Sequence, residues 1–283
     1  MTPLVVAAVV TAAVVHASWN ALAHGIKDQV LAFTLVGAGG TLCGAVLACF
    51  APLPAAAAWP PLLVSAALHV VYQLLLMRSF GLGDFGQVYP IARGTAPLVV
   101  TVLAAVFVHE TPDAWQLAGV AVASAGLVGV ALWGIRGAGR RPHWGALAAA
   151  VATGLAIAAY TTVDGIGVRA AGSPLGYIAW LMLLEGLAIP AYALITRRGR
   201  IVAQLRPVAL RGLLGGALSV LAYGLVLWAQ TKAPLAPVAA LRESSIIAGA
   251  AIGALFFKER FGAPRIAASV LMVGGIALML HGG

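Results

Sequence analysis

Two long apolar stretches of this chain repeat one design at a distance of 149 residues, and that repeat limits the fold more than any other feature. The first runs from Gln87 to His109 as QVYPIARGTAPLVVTVLAAVFVH; the second runs from Pro237 to Lys258 as PVAALRESSIIAGAAIGALFFK. Superposed, Arg93 falls on Arg242, Phe107 on Phe256 and Glu110 on Glu259. Each stretch is long enough to cross a bilayer, and each carries an arginine near its start. A cation inside the hydrocarbon costs at least ~2.5 kcal/mol on insertion scales, so two in corresponding places need a reason. A duplicated apolar bundle with charges inside it is the pattern expected of a protein that moves solutes across a membrane.

Composition agrees with a membrane solvent. The 283 residues are 62% apolar and 9% charged, against roughly 45–50% and 25% in soluble domains. A spanning helix takes about 20 apolar residues, and ten spans can be drawn: 3–24, 30–50, 60–80, 86–108, 115–134, 144–163, 174–195, 208–230, 235–256 and 264–281. Their short connections leave no room for a soluble domain. The expected fold is an all-α membrane protein of ten transmembrane helices, one domain over residues 1–283. The first span lacks a basic leader and is too long for a signal-peptide core, so it reads as a mature helix. The expected location is a bacterial inner (plasma) membrane, as an integral multi-pass protein.

Several other classes are disfavoured. The net charge of +9 sits in loops, where lysine and arginine set orientation and touch anionic headgroups. No basic-aromatic run points to nucleic acid. Cys43 and Cys49 share one apolar span without histidine or cysteine at metal-ligand spacing, so they read as small core residues, with no metal and no cofactor. No GxxxxGK[ST] loop is present, so ATP drive is not encoded.

Numbered by the spans they join, the odd-to-even connections hold thirteen basic residues, among them Lys27, Arg78, Arg136, Arg197 and Arg265, while the other side holds Arg169 and Lys232. The positive-inside rule puts the rich side in the cytoplasm and both termini outside. The first five spans fall in residues 1–136 and the second five in 137–283. Five is odd, so the second half enters from the opposite face, and the repeat is inverted. Inverted repeats set a central site between two bundles that rock against each other.

The segments HASWNALAHG in the first span, YQLLLMRSFGLGDFGQVYPIARG across the third and fourth, and the turns HET and KER resemble the drug/metabolite transporter superfamily, nearest to its ten-span EamA type. The resemblance covers essentially the whole chain. It implies a basket of helices whose cavity is lined chiefly by the third, fourth, eighth and ninth spans. It further implies export of small metabolites, often amino acids. Many such relatives keep both termini in the cytoplasm, the reverse of what the loop charges argue here.

Polar residues inside spans mark the candidate site. His16, Trp19 and Asn20 stand at i, i+3, i+4, as do His69, Tyr72 and Gln73, so each trio shares one helix face. Lipid would leave such faces unsatisfied, so they turn inward, as cavity lining or as interhelical glue. Tyr89 and Arg93 also share a face, and Pro90 and Pro97 can kink their helix and free a carbonyl. The Arg93 guanidinium suits an anionic substrate group, or pairs with Glu185, Asp164 or Glu243. Arg242, Glu243, Ser244 and Ser245 form the polar centre of the ninth span. Successive helical residues point about 100° apart, so Arg242 and Glu243 are expected on different faces. Tyr160 and Asp164 pair at i, i+4 in the sixth span, with Asp164 near its end. Glu185, mid-span in LMLLEGLAIP, is a coupling residue that carries a proton, or a partner for an arginine. Tyr223, Trp228 and Gln230 offer apolar walls and a hydrogen bond to a ligand. Gly40 to Gly44 and Gly249 to Gly253 are close-packing spacings. Glu110 and Glu259 read as turn-fixing residues.

The leading expectation is therefore a secondary transporter of a small polar or amphipathic metabolite, an amino-acid-like zwitterion or organic anion, working by alternating access. Protons are a possible coupling ion, and oligomeric state is not encoded. A lipid or lipid-linked sugar flippase is the second reading. An intramembrane enzyme is the third, and it would need His16 or His69 beside Ser18 or Ser65.

Overall fold

Lipid offers no partner to a backbone N–H or C=O, so a chain this apolar satisfies them within helices. The computed structural model describes residues 1–24, 26–82, 85–137, 144–197, 201–257 and 263–281, and every regular element among them is helical. The first half holds α1 (Pro3–His24), α2 (Gln29–Phe50), α3 (Trp59–Leu82), α4 (Phe85–Leu103) and α5 (Ala114–Gly137). The second holds α6 (Trp144–Ala170), α7 (Pro174–Glu185), α8 (Ala188–Arg197), α9 (Ile201–Leu205), α10 (Ala209–Gln230), α11 (Leu235–Arg242), α12 (Ser245–Phe257) and α13 (Ala263–His281). Among the described residues seven helical stretches are long and apolar enough to cross a membrane: Pro3–Ala23, Gln29–Phe50, Ala56–Ser79, Pro90–Val108, Trp144–Ala170, Pro174–Arg197 and Ala203–Gln230. Ala114–Gly129 and Ile266–His281 are shorter apolar helices.

Local sequence explains where the helices start and stop. Asp28 caps α2, its carboxylate accepting from the N–H groups of Val30 and Leu31 at 3.0 and 3.3 Å. Ser173 caps α7 through the Gly176 N–H, with Pro174 at its first turn. Helix α4 stays helical through Pro90 and Pro97 and ends in a π-turn, Ala104–Val108, closed by His109 in the left-handed region (φ 57°). Two expected continuous spans are broken. The seventh stops at Glu185 and resumes at Ala188, because Gly186 is a poor helix former and Pro190 has no N–H to donate back to its carbonyl. The ninth stops at Arg242 and resumes at Ser245, where Glu243, Ser244, Ile246 and Ile247 donate to carbonyls three residues back instead of four.

Packing brings the halves together. Helix α5 lies on α13, α3 on α6, α1 on α10 and α12, α2 on α7 and α10, and α4 on α5, α6 and α11. Small residues let backbones touch: a Cβ on Gly37 would sit 2.7 Å from the Gly186 carbonyl oxygen, and one on Gly186 equally close to that of Gly37. Gly119 and Gly275 meet in the same reciprocal way. Gly44 packs tightly on Ala179, whereas Gly249 touches only Ala17 and the side of Gly253 lies outside the described residues. Outward faces carry large apolar groups such as Leu42, Phe50, Phe107, Ile195 and Val270, as a lipid boundary requires.

Candidate functional site

A cavity of about 90 Å³ lies at the middle of the bundle. Its polar and aromatic wall is His16, Trp19, His69, Tyr72, Gln73, Tyr160, Glu185, Ser219 and Tyr223, with Gly37, Gly40 and Gly186 where backbones approach. Rings make a box: His69 stacks on Tyr160 with centroids 3.9 Å apart, and Tyr72 and Tyr223 meet Tyr160 edge-on at 5.4 and 6.1 Å. At roughly 30 Å³ per water the space holds about three waters, so a metabolite enters only when the bundle opens.

Beside the cavity runs a row of buried titratable groups. Asp164, fully buried, accepts hydrogen bonds from the hydroxyls of Tyr177 (2.9 Å) and Tyr223. His69 Nε2 stands 3.9 Å from Asp164 Oδ2, and its Nδ1 stands 3.6 Å from Glu185 Oε2. Nδ1 also meets the hydroxyl and carbonyl oxygens of Ser65 at 3.1 and 3.0 Å. Ser, His and Asp thus stand in order, but His69 and Asp164 are 3.9 Å apart, and Ser65 is fully buried and does not line the cavity. Among the described residues no group of histidine, cysteine and carboxylates converges as a metal site.

A second buried cluster joins the halves. Arg93 Nε lies 2.6 Å from Glu243 Oε2, and Arg93 Nη2 donates to Ser245 Oγ at 3.0 Å. Arg242 Nε lies 3.7 Å from the other Glu243 oxygen. Arg242 and Glu243 therefore meet, contrary to the different faces expected of a regular helix, because the helix is interrupted at Glu243 and Ser244. Among the described residues two guanidiniums face this one carboxylate. His16 and Tyr160, both on the cavity wall, lie within the field of Arg93 and Arg242.

The two ends of the bundle are tied by ion pairs. At one, Arg169 pairs with Glu110 at 2.7 Å and donates to the carbonyls of Gln230 and Ala233. Glu110 also accepts from the Leu235 N–H at 2.7 Å, so it reaches across to the second half as well as fixing its own turn. At the other end Arg197 donates to both oxygens of Asp28 at 2.6 and 3.0 Å. These bonds hold the Asp28 carboxyl below the usual carboxylate range.

Of the residues singled out in the sequence, His16, Trp19, His69, Tyr72, Gln73, Tyr160, Glu185 and Tyr223 share the cavity wall. Asn20 instead donates to the His16 carbonyl at 2.9 Å, and the Trp19 indole donates to His16 Nδ1 at 3.2 Å. Arg93, Arg242, Glu243 and Ser244 lie at the second cluster or its helix break. Trp228 borders a separate apolar groove, Gln230 is fully buried, and the side chain of Tyr89 and all of Glu259 lie outside the described residues. Sequence reading passed over Tyr177, whose only signal was a tyrosine thirteen residues after Asp164, and Phe33 and Ser219 on the wall.

Apolar helices around a buried, charged and aromatic centre define an integral multi-pass membrane protein. Residues 143–281 match the model of the EamA-like transporter family, in agreement with the drug/metabolite transporter likeness. A solved structure titled "Crystal structure of protein" aligns over 100% of this chain and 99% of its own, with a TM-score of 0.69 and 16% sequence identity, a likeness of fold. No curated protein matches.

Proposed function

We propose that the protein is a secondary transporter, working as an exporter from a bacterial inner membrane, of a small amino-acid-like zwitterion, by alternating access of ten spans in two inverted halves, residues 1–136 and 137–283. The observation that carries the substrate class is the position of the cavity. Glu185, Tyr160 and Tyr223 share one wall, where aromatic rings, and Glu185 once it has released its proton, attract an ammonium. Beyond Tyr160 and His16 lie the two arginines, whose field draws a carboxylate.

The pairing of helices supports the inverted repeat. If the first through fifth spans exchange with the sixth through tenth, each contact should have a mate. The contact of α1 with α10 then maps onto α6 with α3, α1 with α12 onto α6 with α4, and α2 with α10 onto α7 with α3, and all of these occur. Gly37 and Gly186, 149 residues apart like the two arginines, touch each other as residues on a two-fold axis would.

The test is a thermal-shift screen of purified protein against amino acids, organic anions, amines and nucleosides, followed by uptake of any hit into proteoliposomes. A ligand at one hundred times its Kd adds about 2.7 kcal/mol of apparent stability. A zwitterion hit lost in Tyr160→Leu is expected; stabilisation confined to another class overturns the substrate assignment. The flippase reading has one observation in its favour, a groove of about 1010 Å³ between α1, α2, α7 and α10, lined by Leu42, Val46, Leu221 and Trp228. Stabilisation by lipid headgroups alone would select it.

A further inference from the structure

We infer that Glu185, His69 and Asp164 form a proton-binding site in which Glu185 exchanges its proton with the cavity while His69 stands as the shared cation between the two carboxyls. This rests on the transporter reading and supplies its coupling ion.

The geometry is a row. His69 lies between the carboxyls at 3.6 Å from Glu185 and 3.9 Å from Asp164, rather than the three surrounding a point. That suits proton sharing better than metal ligation. All three are buried, at 7, 6 and 0% exposure respectively for Glu185, His69 and Asp164. Net charge in the interior of a membrane bundle is costly, so the row is stable near neutrality. Two carboxyls and one imidazole reach neutrality with two protons among them. The hydrogen bonds decide where those protons sit. Both oxygens of Asp164 already accept, from Tyr177 and Tyr223, which is the bonding of a carboxylate. His69 Nδ1 lies 3.0 Å from the Ser65 carbonyl oxygen, and Nε2 faces the Asp164 carboxylate across 3.9 Å, a setting in which a cationic ring is met by oxygens on both sides.

The second proton then belongs to Glu185, whose buried Oε2 has no hydrogen-bond partner. Glu185 is also the carboxyl of the row that lines the cavity. Loss of its proton to cavity water leaves a carboxylate there and one uncompensated negative charge in the row; return of the proton restores neutrality. The groups that face it are His69 and Tyr72 from α3, Tyr160 and Asp164 from α6, Tyr223 from α10 and His16 from α1, while α2 presents Phe33, Val36 and Gly37, none of them titratable. The nearest ionisable groups are His69 at 3.6 Å and, on the far side of its ring, Asp164.

The experiment is difference infrared spectroscopy of the full chain in liposomes between acidic and alkaline buffer, which needs no substrate. The wild type should show a protonated-carboxyl C=O band that vanishes on alkalinisation, and Glu185→Gln should lack it. Glu185→Asp, which keeps a carboxyl, should shift its frequency. Asp164→Asn removes the neighbouring like charge and His69→Gln the counter-charge, so they should move the band's midpoint in opposite senses. A band unchanged in a folded Glu185→Gln, or midpoints unmoved by both neighbours, overturns the site. A missing band with solute uptake intact removes the proton site and leaves the transporter. A band present with every uptake assay silent removes the transporter and leaves the proton site.

Discussion

Glu243 stands against two arginines, Arg93 at 2.6 Å and Arg242 at 3.7 Å, at 1% side-chain exposure. Removing one partner of a buried pair leaves an uncompensated charge and costs about 3–5 kcal/mol. Glu243→Ala leaves two buried cations and should lower stability by that order in detergent unfolding, whereas Arg93→Ala leaves Glu243 facing Arg242 and should cost less; the double variant should cost clearly less than the sum, and additive losses would mean the pair is not coupled. Loss of transport in Arg93→Ala must therefore be judged against folding before it counts as loss of a substrate contact. The sequence showed Arg93 to be buried and offered Glu243 as one of three partners, but only long-range packing selects it. Asp28 gives a pH dependence of opposite setting, exposed at the bundle's end. Its carboxyl is depressed by Arg197, so its contribution is present above the ordinary value of 3.8 and fades as pH falls through the lower folded value. Asp28→Asn should cost stability at neutral pH and lose that effect in strong acid, as followed by thermal unfolding; an equal cost at both pH values removes the ion pair as cause. The pair is about one-third exposed, so the effect is within ~1 kcal/mol.

Among elements, the two broken helices set the site. Glu185 stands at the end of α7 and Glu243 directly after α11, so both interior glutamates lie where a helix stops. The first break was legible in LMLLEGLAIP, where Gly186 and Pro190 stand close together, although the span was read as unbroken. The second had no such mark, because the tightening at Glu243 and Ser244 answers to contacts with α4 rather than to local propensity. On regular helices the spacing rule holds in part: His69, Tyr72 and Gln73 share the cavity wall, whereas Asn20 turns to the His16 carbonyl and Trp228 to a separate groove. Close approach of α2 to α7 and α8 depends on Gly37 and Gly186. Gly37→Ala places a methyl 2.7 Å from a carbonyl oxygen that belongs to backbone and cannot swing aside. It should cost about 1–3 kcal/mol by overpacking, measurable as a lowered unfolding temperature, while Gly224→Ala, whose nearest neighbour is 3.9 Å away, should be close to neutral.

Over the whole molecule, composition alone dictated helices and a membrane, since both follow from satisfying the backbone in lipid. Orientation rests on the distribution of basic residues. In a background of Cys43→Ser and Cys49→Ser, an impermeant maleimide applied to intact cells should label Lys232→Cys and spare Lys27→Cys, both exposed positions; the reverse pattern puts the termini in the cytoplasm. The pairing of Glu110 with Arg169 was not legible, because it joins residues from different halves through a turn, and no periodicity reports on a turn. It has a consequence for the medium in which the protein works. The two side chains are 21 and 30% exposed, within reach of dissolved ions. The Debye length falls from about 10 Å at 0.1 M salt to 3 Å at 1 M. The Arg197–Asp28 pair at the other end is as accessible, while the interior clusters are shielded, so concentrated salt loosens the ends of the bundle before its middle.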